Sequence, residues 1–160
     1  MSKRERNLTP AGLSSPMEEA LKEAERAGDR GEVPIGAVLL SPQGEVLARA
    51  GNRTLELKDP TAHAEMLVIR EAAAKLDSER LNGCDLYVTL EPCTMCATAI
   101  SFARIRRLYY GAEDAKGGAV DNGVRFFKKA TCHHAPEVYG GLSEVESARI
   151  LKEFFEKRRS

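Results

Sequence analysis

The chain has 160 residues, with 24 Lys or Arg and 24 Asp or Glu, so its formal net charge is zero. This length is typical of one domain with its own core, and zero net charge excludes a general electrostatic attraction to nucleic acid or to an anionic membrane. Residues 1–16 are rich in Ser, Pro and charge, which predicts a loose tail and no secretory signal, with a single domain over 17–160. The longest aliphatic run is too short to span a bilayer. With only four cysteines, we expect reduced thiols in the cytoplasm.

The predicted elements alternate between helices and strands along the chain. An amphipathic helix over Met17–Gly28 precedes a β-hairpin, in which a Pro- and Gly-containing turn joins VPIGAVLL to VLARAG. Next come a helix over His63–Leu76, a buried strand CDLYVTL, a helix TMCATAISFARI and a strand RRLYYGA. Residues 112–136 have no clear period and predict a long functional loop or a short helix, before a last helix over Ser143–Lys157. This order predicts an α/β domain with a partly parallel sheet that is covered by helices on both faces.

Cys93 and Cys96 stand in EPCTMC, directly after the predicted buried strand and at the start of a predicted helix. A spacing of three places both sulfur atoms on one side of the first helical turn. Pro92 suits that turn because the N–H it lacks would have no helical partner there. The free N–H groups and the helix dipole stabilise thiolates, the form of cysteine that binds metal. A redox dithiol fits these facts almost as well, so the pair alone leaves both chemistries open.

His63 and Glu65, in TAHAEM, favour a metal site over a redox dithiol. His63 also begins a predicted helix, and in an α/β sheet such helix N-termini gather along one edge, where ligands bind. One His and two Cys are the three protein ligands expected of a catalytic zinc, which keeps a fourth position for water. Glu65 faces away from His63 on a regular helix, yet from the first turn it can reach that water and take its proton.

A fourth protein ligand would indicate a structural zinc site instead. Cys84 begins the buried strand and is expected in the core as a small hydrophobe. Cys132, His133 and His134 form a second group of metal-type side chains, but they lack the paired spacing of a zinc knuckle. Nothing in the sequence fixes this group near Cys93, so three ligands is the preferred count.

His-x-Glu followed by Pro-Cys-x-x-Cys is the signature of zinc-dependent nucleobase deaminases. The chain resembles the bacterial tRNA-specific adenosine deaminases from about Met17 to Arg159, through VPIGAVL, GNRT, DPTAHAE, LYVTLEPCTMC, ARI, YGAEDAKGGA and FFEKRR. The resemblance implies a cytidine deaminase-like fold, a three-layer α-β-α arrangement with a mixed, mostly five-stranded sheet. It also implies a homodimer that uses one Zn²⁺ per subunit and zinc-activated water to deaminate the wobble adenosine of the tRNA anticodon loop to inosine.

The same resemblance assigns roles to individual residues. It implies that His63, Cys93 and Cys96 hold zinc and that Glu65 shuttles a proton between water and the base. The substrate-binding residues that it implies are Asn52 and the backbone of Ala64 against the base, Val33 and Pro34 lining the pocket, Asp114 and Lys116 at the anticodon loop, and Phe154, Phe155 and Arg158 near the loop nucleotides. Two adjacent phenylalanines cannot both face one core, and core packing is the alternative role for at least one of them.

Three other functions stay open at this stage. The segment Val120–Gly141 departs from the pattern of many bacterial relatives, so a deaminase of free nucleobases or nucleosides (guanine, cytosine or modified bases) could keep the same catalytic residues. A non-catalytic zinc module would need neither an open coordination position nor Glu65. A redox dithiol would leave His63 and Glu65 without a role. Zero net charge does not oppose an RNA substrate, because RNA loops are recognised by splayed bases, stacking and shape.

Overall fold

A computed structural model describes residues 14–159 of the chain. Its centre is a five-stranded sheet with the strand order β2-β1-β3-β4-β5. β1 pairs antiparallel with both β2 and β3, whereas β3, β4 and β5 run parallel to one another. The sheet is therefore mixed and five-stranded, which confirms the predicted class. The strands are β1 Gly36–Leu40, β2 Val46–Gly51, β3 Asp85–Leu90, β4 Arg107–Ala112 and β5 Glu137–Tyr139.

Helices cover both faces of this sheet. On one face, Val68 and Ile100 of α3 and α4 belong to a buried cluster with alternate residues of the strands. On the other face, Leu21 and Ile150 of α1 and α5 belong to a second buried cluster. This separation gives the predicted three layers. The helices are α1 Pro16–Asp29, α2 Thr54–Leu57, α3 Ala64–Leu76, α4 Thr94–Phe102 and α5 Glu144–Arg159, with a 3-10 turn at Phe126–Lys128.

The close approach of α1 to the sheet depends on Gly36 at the start of β1. A Cβ atom at this position would lie 2.0 Å from the carbonyl oxygen of Ala20 and 2.5 Å from the backbone nitrogen of Ala24. Both atoms belong to backbone, so neither can move aside as a flexible side chain could. The glycine in VPIGAVLL is therefore a packing requirement as well as a strand residue.

The element boundaries differ from the sequence predictions in several places, and the last helix, for example, spans Glu144–Arg159 instead of Ser143–Lys157. The first helix begins at Pro16, capped by Ser15, whose hydroxyl oxygen accepts the backbone N–H of Glu18 at 3.2 Å. The predicted tail otherwise lies outside the described residues. The helix after the cysteines ends at Phe102 instead of continuing to residue 105. The two elements α2 and β5 were not predicted, since four and three residues are too few to show a periodic pattern. None of the described helices is long and apolar enough to cross a membrane.

Candidate metal centre and substrate pocket

Two helix N-termini carry the candidate metal ligands. His63 caps α3 with an extended backbone, φ −74° and ψ 151°, and Cys93 caps α4 in a similar conformation, φ −74° and ψ 176°. Cys96 lies in the first turn of α4 and is fully buried. Because the short segment 91–93 directly follows β3, the strand fixes where α4 begins. The sequence expectation that both motifs occupy equivalent helix ends is confirmed.

The three side chains converge on one point. His63 Nδ1 lies 3.7 Å from Cys93 Sγ and 3.5 Å from Cys96 Sγ. Tetrahedral zinc, with bonds of about 2.3 Å to sulfur and 2.0–2.1 Å to nitrogen, places its sulfur and nitrogen ligands roughly 3.6 Å apart. The three ligand atoms all lie within 4.8 Å of one another, and this is the one such cluster found within residues 14–159. The donor set and its spacing fit a zinc ion.

The protonation of the two thiols also suits metal binding. The pKa of Cys93 is lowered to about 4, chiefly because the Cys96 thiol donates a hydrogen bond to it, with His63 adding to the effect. The pKa of Cys96 is raised, first by that same hydrogen bond and then by burial. The lowered pKa of Cys93 favours its thiolate form, the form that binds metal. The pKa of His63 is raised, mainly by its hydrogen bond to Cys93.

Glu65 is a buried carboxyl group beside this cluster. It lies in the first turn of α3 and is only 4% exposed. Burial is the main cause that raises its pKa to about 6, and its side chain also interacts with the Cys96 thiol. A carboxyl group with a pKa near neutrality is suited to both accepting and donating a proton.

Asn52 is fixed against the start of α3. Its side-chain Oδ1 accepts the backbone N–H of Ala64 at 2.8 Å, and its backbone N–H donates to the carbonyl of Ile35 at 3.1 Å. Its carbonyl accepts a hydrogen bond from the Arg30 guanidinium at 3.1 Å, and Asn52 is 6% exposed. The structure thus brings Asn52 and Ala64, the two residues that the resemblance places against the base, together one residue from His63.

A groove of about 480 Å³ runs between α5 and the ends of the central strands. Val33 and Phe155 line it together with Asp114, and Leu90, three residues before Cys93, forms part of its wall. Most of its other lining is aliphatic, from Ile35, Ala112, Ala148 and Leu151. An apolar groove with a few polar groups is the usual form of a small-molecule site, but the residues that line this groove include neither Glu65 nor any of the candidate metal ligands.

Sequence and structure comparisons agree with this geometry. Residues 12–112 match the family model of the cytidine and deoxycytidylate deaminase zinc-binding region. The chain is 69% identical over 143 residues to the tRNA-specific adenosine deaminase of Agrobacterium fabrum, which covers 89% of this chain and 93% of that protein. The chain belongs to the tRNA-specific adenosine deaminase family.

Solved structures show the same relationship. One from a study of A-to-I editing by tRNA deaminases at the wobble position is 70% identical, with a TM-score of 0.84 over 85% of this chain and 98% of that one. Guanine deaminase from Nitrosomonas europaea shares the fold with a TM-score of 0.76 over 94% of this chain and 90% of that one. Its identity is 23%, so that likeness concerns the fold alone.

The predicted C-terminal substrate residues of this family member divide into two groups. Phe155 faces the groove, whereas Phe154 and Arg158 pack against the end of α1. The Arg158 guanidinium lies 4.5 Å from the centre of the Phe154 ring, and it donates to the carbonyl of Gly31 at 2.7 Å. Phe154 therefore contributes to the packing of α5 on α1, as the alternative reading of the two phenylalanines anticipated.

Asp114 and Lys116 lie on the substrate-side loop, defined here as residues 113–122. Asp114 Oδ1 accepts the backbone N–H groups of Lys116 at 3.1 Å and Gly117 at 2.9 Å. Asp114 thus holds the turn that presents the exposed Lys116, in addition to lining the groove. Pro34, the remaining predicted pocket residue, lies in sequence between the groove residues Val33 and Ile35. Its side chain faces α1, since a Cβ atom at Gly28 would lie 3.3 Å from Pro34 Cβ.

The Cys132–His134 group serves the fold and lies outside the metal cluster. Cys132 Sγ donates to the carbonyl of His134 at 3.1 Å, and His134 Nε2 donates to the carbonyl of Ile105 at 2.7 Å. The first contact shapes the segment before β5, and the second fastens it to the stretch between α4 and β4. Cys84 is fully buried in the core, as predicted.

Two buried glutamates near the site were missed from the sequence. Glu32 and Glu91 are each 2% exposed. Burial acts to raise the pKa of each carboxyl group, but hydrogen bonds outweigh it and lower both pKa values: for Glu32 from the N–H groups of Glu56 and Leu55, for Glu91 mainly from Asp114. The one available signal was a charged residue, Glu91, between an almost wholly apolar strand and Pro92.

Proposed function

We propose that the protein catalyses the hydrolytic deamination of the wobble adenosine of a tRNA anticodon loop, which yields inosine and ammonia. The observation that carries this proposal is the 69% identity to a tRNA-specific adenosine deaminase over nearly the whole of both chains. The converging His63, Cys93 and Cys96 and the adjacent buried Glu65 support it, because they are the groups that such chemistry requires.

His63, Cys93 and Cys96 would hold one zinc ion per subunit. When bound, zinc lowers the pKa of a coordinated water to about 7. The chain supplies three ligands, so a position stays available for that water.

Glu65 moves protons within the pocket. It accepts a proton from the attacking water and delivers it to the purine ring nitrogen. It then takes the proton of the hydroxyl group newly bonded to the amine-bearing carbon and passes it to the exocyclic amine, which leaves as ammonia while the carbonyl group of inosine forms. Its burial favours this role, since a raised pKa lets the same carboxyl group act first as a base and then as an acid.

Asn52 and the backbone of Ala64 would position the flipped adenine. The hydrogen bond from Ala64 N–H to Asn52 Oδ1 commits the amide oxygen, which leaves the Nδ2 donor of Asn52 as the group to offer to the base. Val33, Pro34 and Phe155 would line the adjoining pocket and groove, and Asp114 and Lys116 would contact the anticodon loop. Phe154 and Arg158 would act indirectly, by holding α5 against α1 and so fixing the position of Phe155.

The protein is proposed to act as a homodimer in the cytoplasm, with residues 17–160 as one catalytic domain. Large apolar side chains are exposed on two short elements, with Leu55 of α2 at 67% and Phe102 of α4 at 71%. These two side chains are our candidates for the subunit interface, because contiguous exposed apolar surface is typical of faces that are covered in an assembly.

Deamination of an anticodon stem-loop tests the substrate assignment. The zinc-loaded protein should convert a wobble adenosine to inosine in the stem-loop, while free adenosine, cytosine and guanine in parallel reactions should stay unchanged. Turnover of free bases alone would reject the tRNA assignment in favour of a nucleobase deaminase.

A further inference from the structure

Glu91 stands in the metal-binding motif EPCTMC, yet the chemistry above gives it no role. Its carboxylate is 2% exposed and accepts hydrogen bonds from five N–H groups, and none of them belongs to a cationic side chain. Oε1 accepts from Asp114 N at 3.0 Å and Asn122 Nδ2 at 2.6 Å. Oε2 accepts from the consecutive backbone N–H groups of Val120, Asp121 and Asn122 at 3.0, 2.9 and 3.0 Å.

All five donors belong to the substrate-side loop, residues 113–122. The loop therefore closes around a single buried carboxylate, with donors at both of its ends. Gly118 makes this closure possible, because a Cβ atom there would lie 2.5 Å from Glu91 Cδ and 2.5 Å from the carbonyl oxygen of Asp114. Consecutive N–H groups that converge on an anion form a backbone nest, a concave anion-binding arrangement.

The backbone beside Glu91 connects this loop to the metal cluster. Glu91 N donates to the carbonyl of Ala112 at 2.9 Å, and Ala119 N donates to the carbonyl of Pro92 at 2.9 Å. Cys93 is the next residue. Of these three consecutive residues, Glu91 bonds to the end of β4, Pro92 bonds to the middle of the loop, and Cys93 is a candidate zinc ligand.

We propose that Glu91 is a positioning residue for the deamination, whose buried carboxylate holds the loop that carries Asp114 and Lys116 in register with the metal-binding helix. This inference rests on the proposed function and extends it. Glu91 itself touches neither the metal cluster's ligand atoms nor the groove in the described contacts. Its effect passes through the loop, so substrate binding is the step that should respond.

Glu91→Gln tests this role, because an amide presents an NH₂ group where at least two of the loop N–H groups need an acceptor. Hydrogen exchange should show reduced protection among the four loop amides that bond to Glu91, most at those that face the new NH₂ group. Zinc content should remain that of the wild type. With the anticodon stem-loop, kcat/KM should fall about 10- to 100-fold, with KM rising more than kcat falls, since misplaced contacts of about 1 Å have effects of this size.

Glu32→Gln is the matched control. Glu32 is equally buried, and its carboxylate accepts the N–H groups of Leu55 at 3.1 Å and Glu56 at 2.9 Å. This variant should lose protection at whichever of those two amides faces the new NH₂ group and keep it in the substrate-side loop. Loop protection lost equally in both variants would show general destabilisation and would overturn the inference.

Asn122→Ala provides a second variant in case Glu91→Gln does not fold. It removes the Nδ2 donor and leaves the four backbone donors in place, so KM should rise roughly fivefold, the effect of about one hydrogen bond. Unchanged KM in a folded, zinc-loaded variant, or a fall in kcat alone, would overturn the positioning role. If the wild type itself leaves the stem-loop unmodified, the proposed function fails, whereas the exchange data still decide whether Glu91 holds the loop.

Discussion

Replacing Glu65 with glutamine should make the stability of the zinc-free protein less dependent on pH. The pKa of Glu65 is raised from its ordinary value of 4.5 to about 6, mainly by burial. The folded protein therefore keeps this proton to a higher pH than the unfolded chain does. As pH rises from 4.5 through about 6, ionising the buried carboxyl group lowers the free energy of unfolding by about 2 kcal/mol. Glutamine cannot ionise and avoids this loss.

Urea denaturation of both zinc-free proteins between pH 4.5 and about 7 measures this effect. The stability of Glu65→Gln minus that of the wild type should grow with pH by about 2 kcal/mol and then level off. Glu45→Gln, in the exposed turn of the hairpin, serves as the control for loss of a carboxylate. A stability difference between Glu65→Gln and the wild type that stays constant across this range would refute the reasoning about burial.

Three further predictions concern the core, the metal and the assembly. Ser147→Ala should raise the free energy of unfolding by about 1 kcal/mol, because Ser147 Oγ is buried without a hydrogen-bond partner in the described part of the chain; decreased stability in urea would contradict this. Cys96→Ala should lose its zinc, whereas the control Cys84→Ala, which changes a core cysteine, should retain it. Equal zinc contents of the two variants by mass spectrometry would exclude Cys96 as a ligand. Light scattering should give a mass of about 35 kDa for the wild type, twice the 17.5 kDa of one chain. Phe102→Glu should lower this mass towards that of the monomer, and a monomeric wild type would reject the dimer.

The sequence was sufficient to predict the metal cluster because its ligands sit at regular positions. His63 and Cys93 each precede a helix with a clear signal, and a sheet of alternating strands and helices brings such ends together. The expected third ligand, Cys96, follows from helical spacing alone. These inferences need only local patterns and the known behaviour of α/β sheets.

The contacts of the substrate-side loop could not be predicted in the same way. Its shape depends on Glu91, which is about 30 residues away from Asn122 in sequence and has no periodic relation to it. Likewise, α2 depends on the carboxylate of Glu32, more than 20 residues earlier. Buried charges that bind backbone N–H groups leave no pattern in a single sequence, so tertiary structure is needed to reveal them.

The division between Phe154 and Phe155 also required the structure. Helical spacing shows that adjacent residues point in different directions, but it does not show which one faces the groove. The contact between the Arg158 guanidinium and the Phe154 ring assigns Phe154 to the α1 side. Phe155 is then the better target for substitutions that probe substrate binding.

The central claim is tested most directly by measuring inosine at the wobble position of an anticodon stem-loop after incubation with the zinc-loaded wild type and with Glu65→Ala. The wild type should form inosine at that position and at no other adenosine of the loop. Glu65→Ala should retain its zinc and react about 10² to 10⁴ times more slowly. Equal rates for the two zinc-loaded proteins, or no inosine from the wild type, would contradict the account.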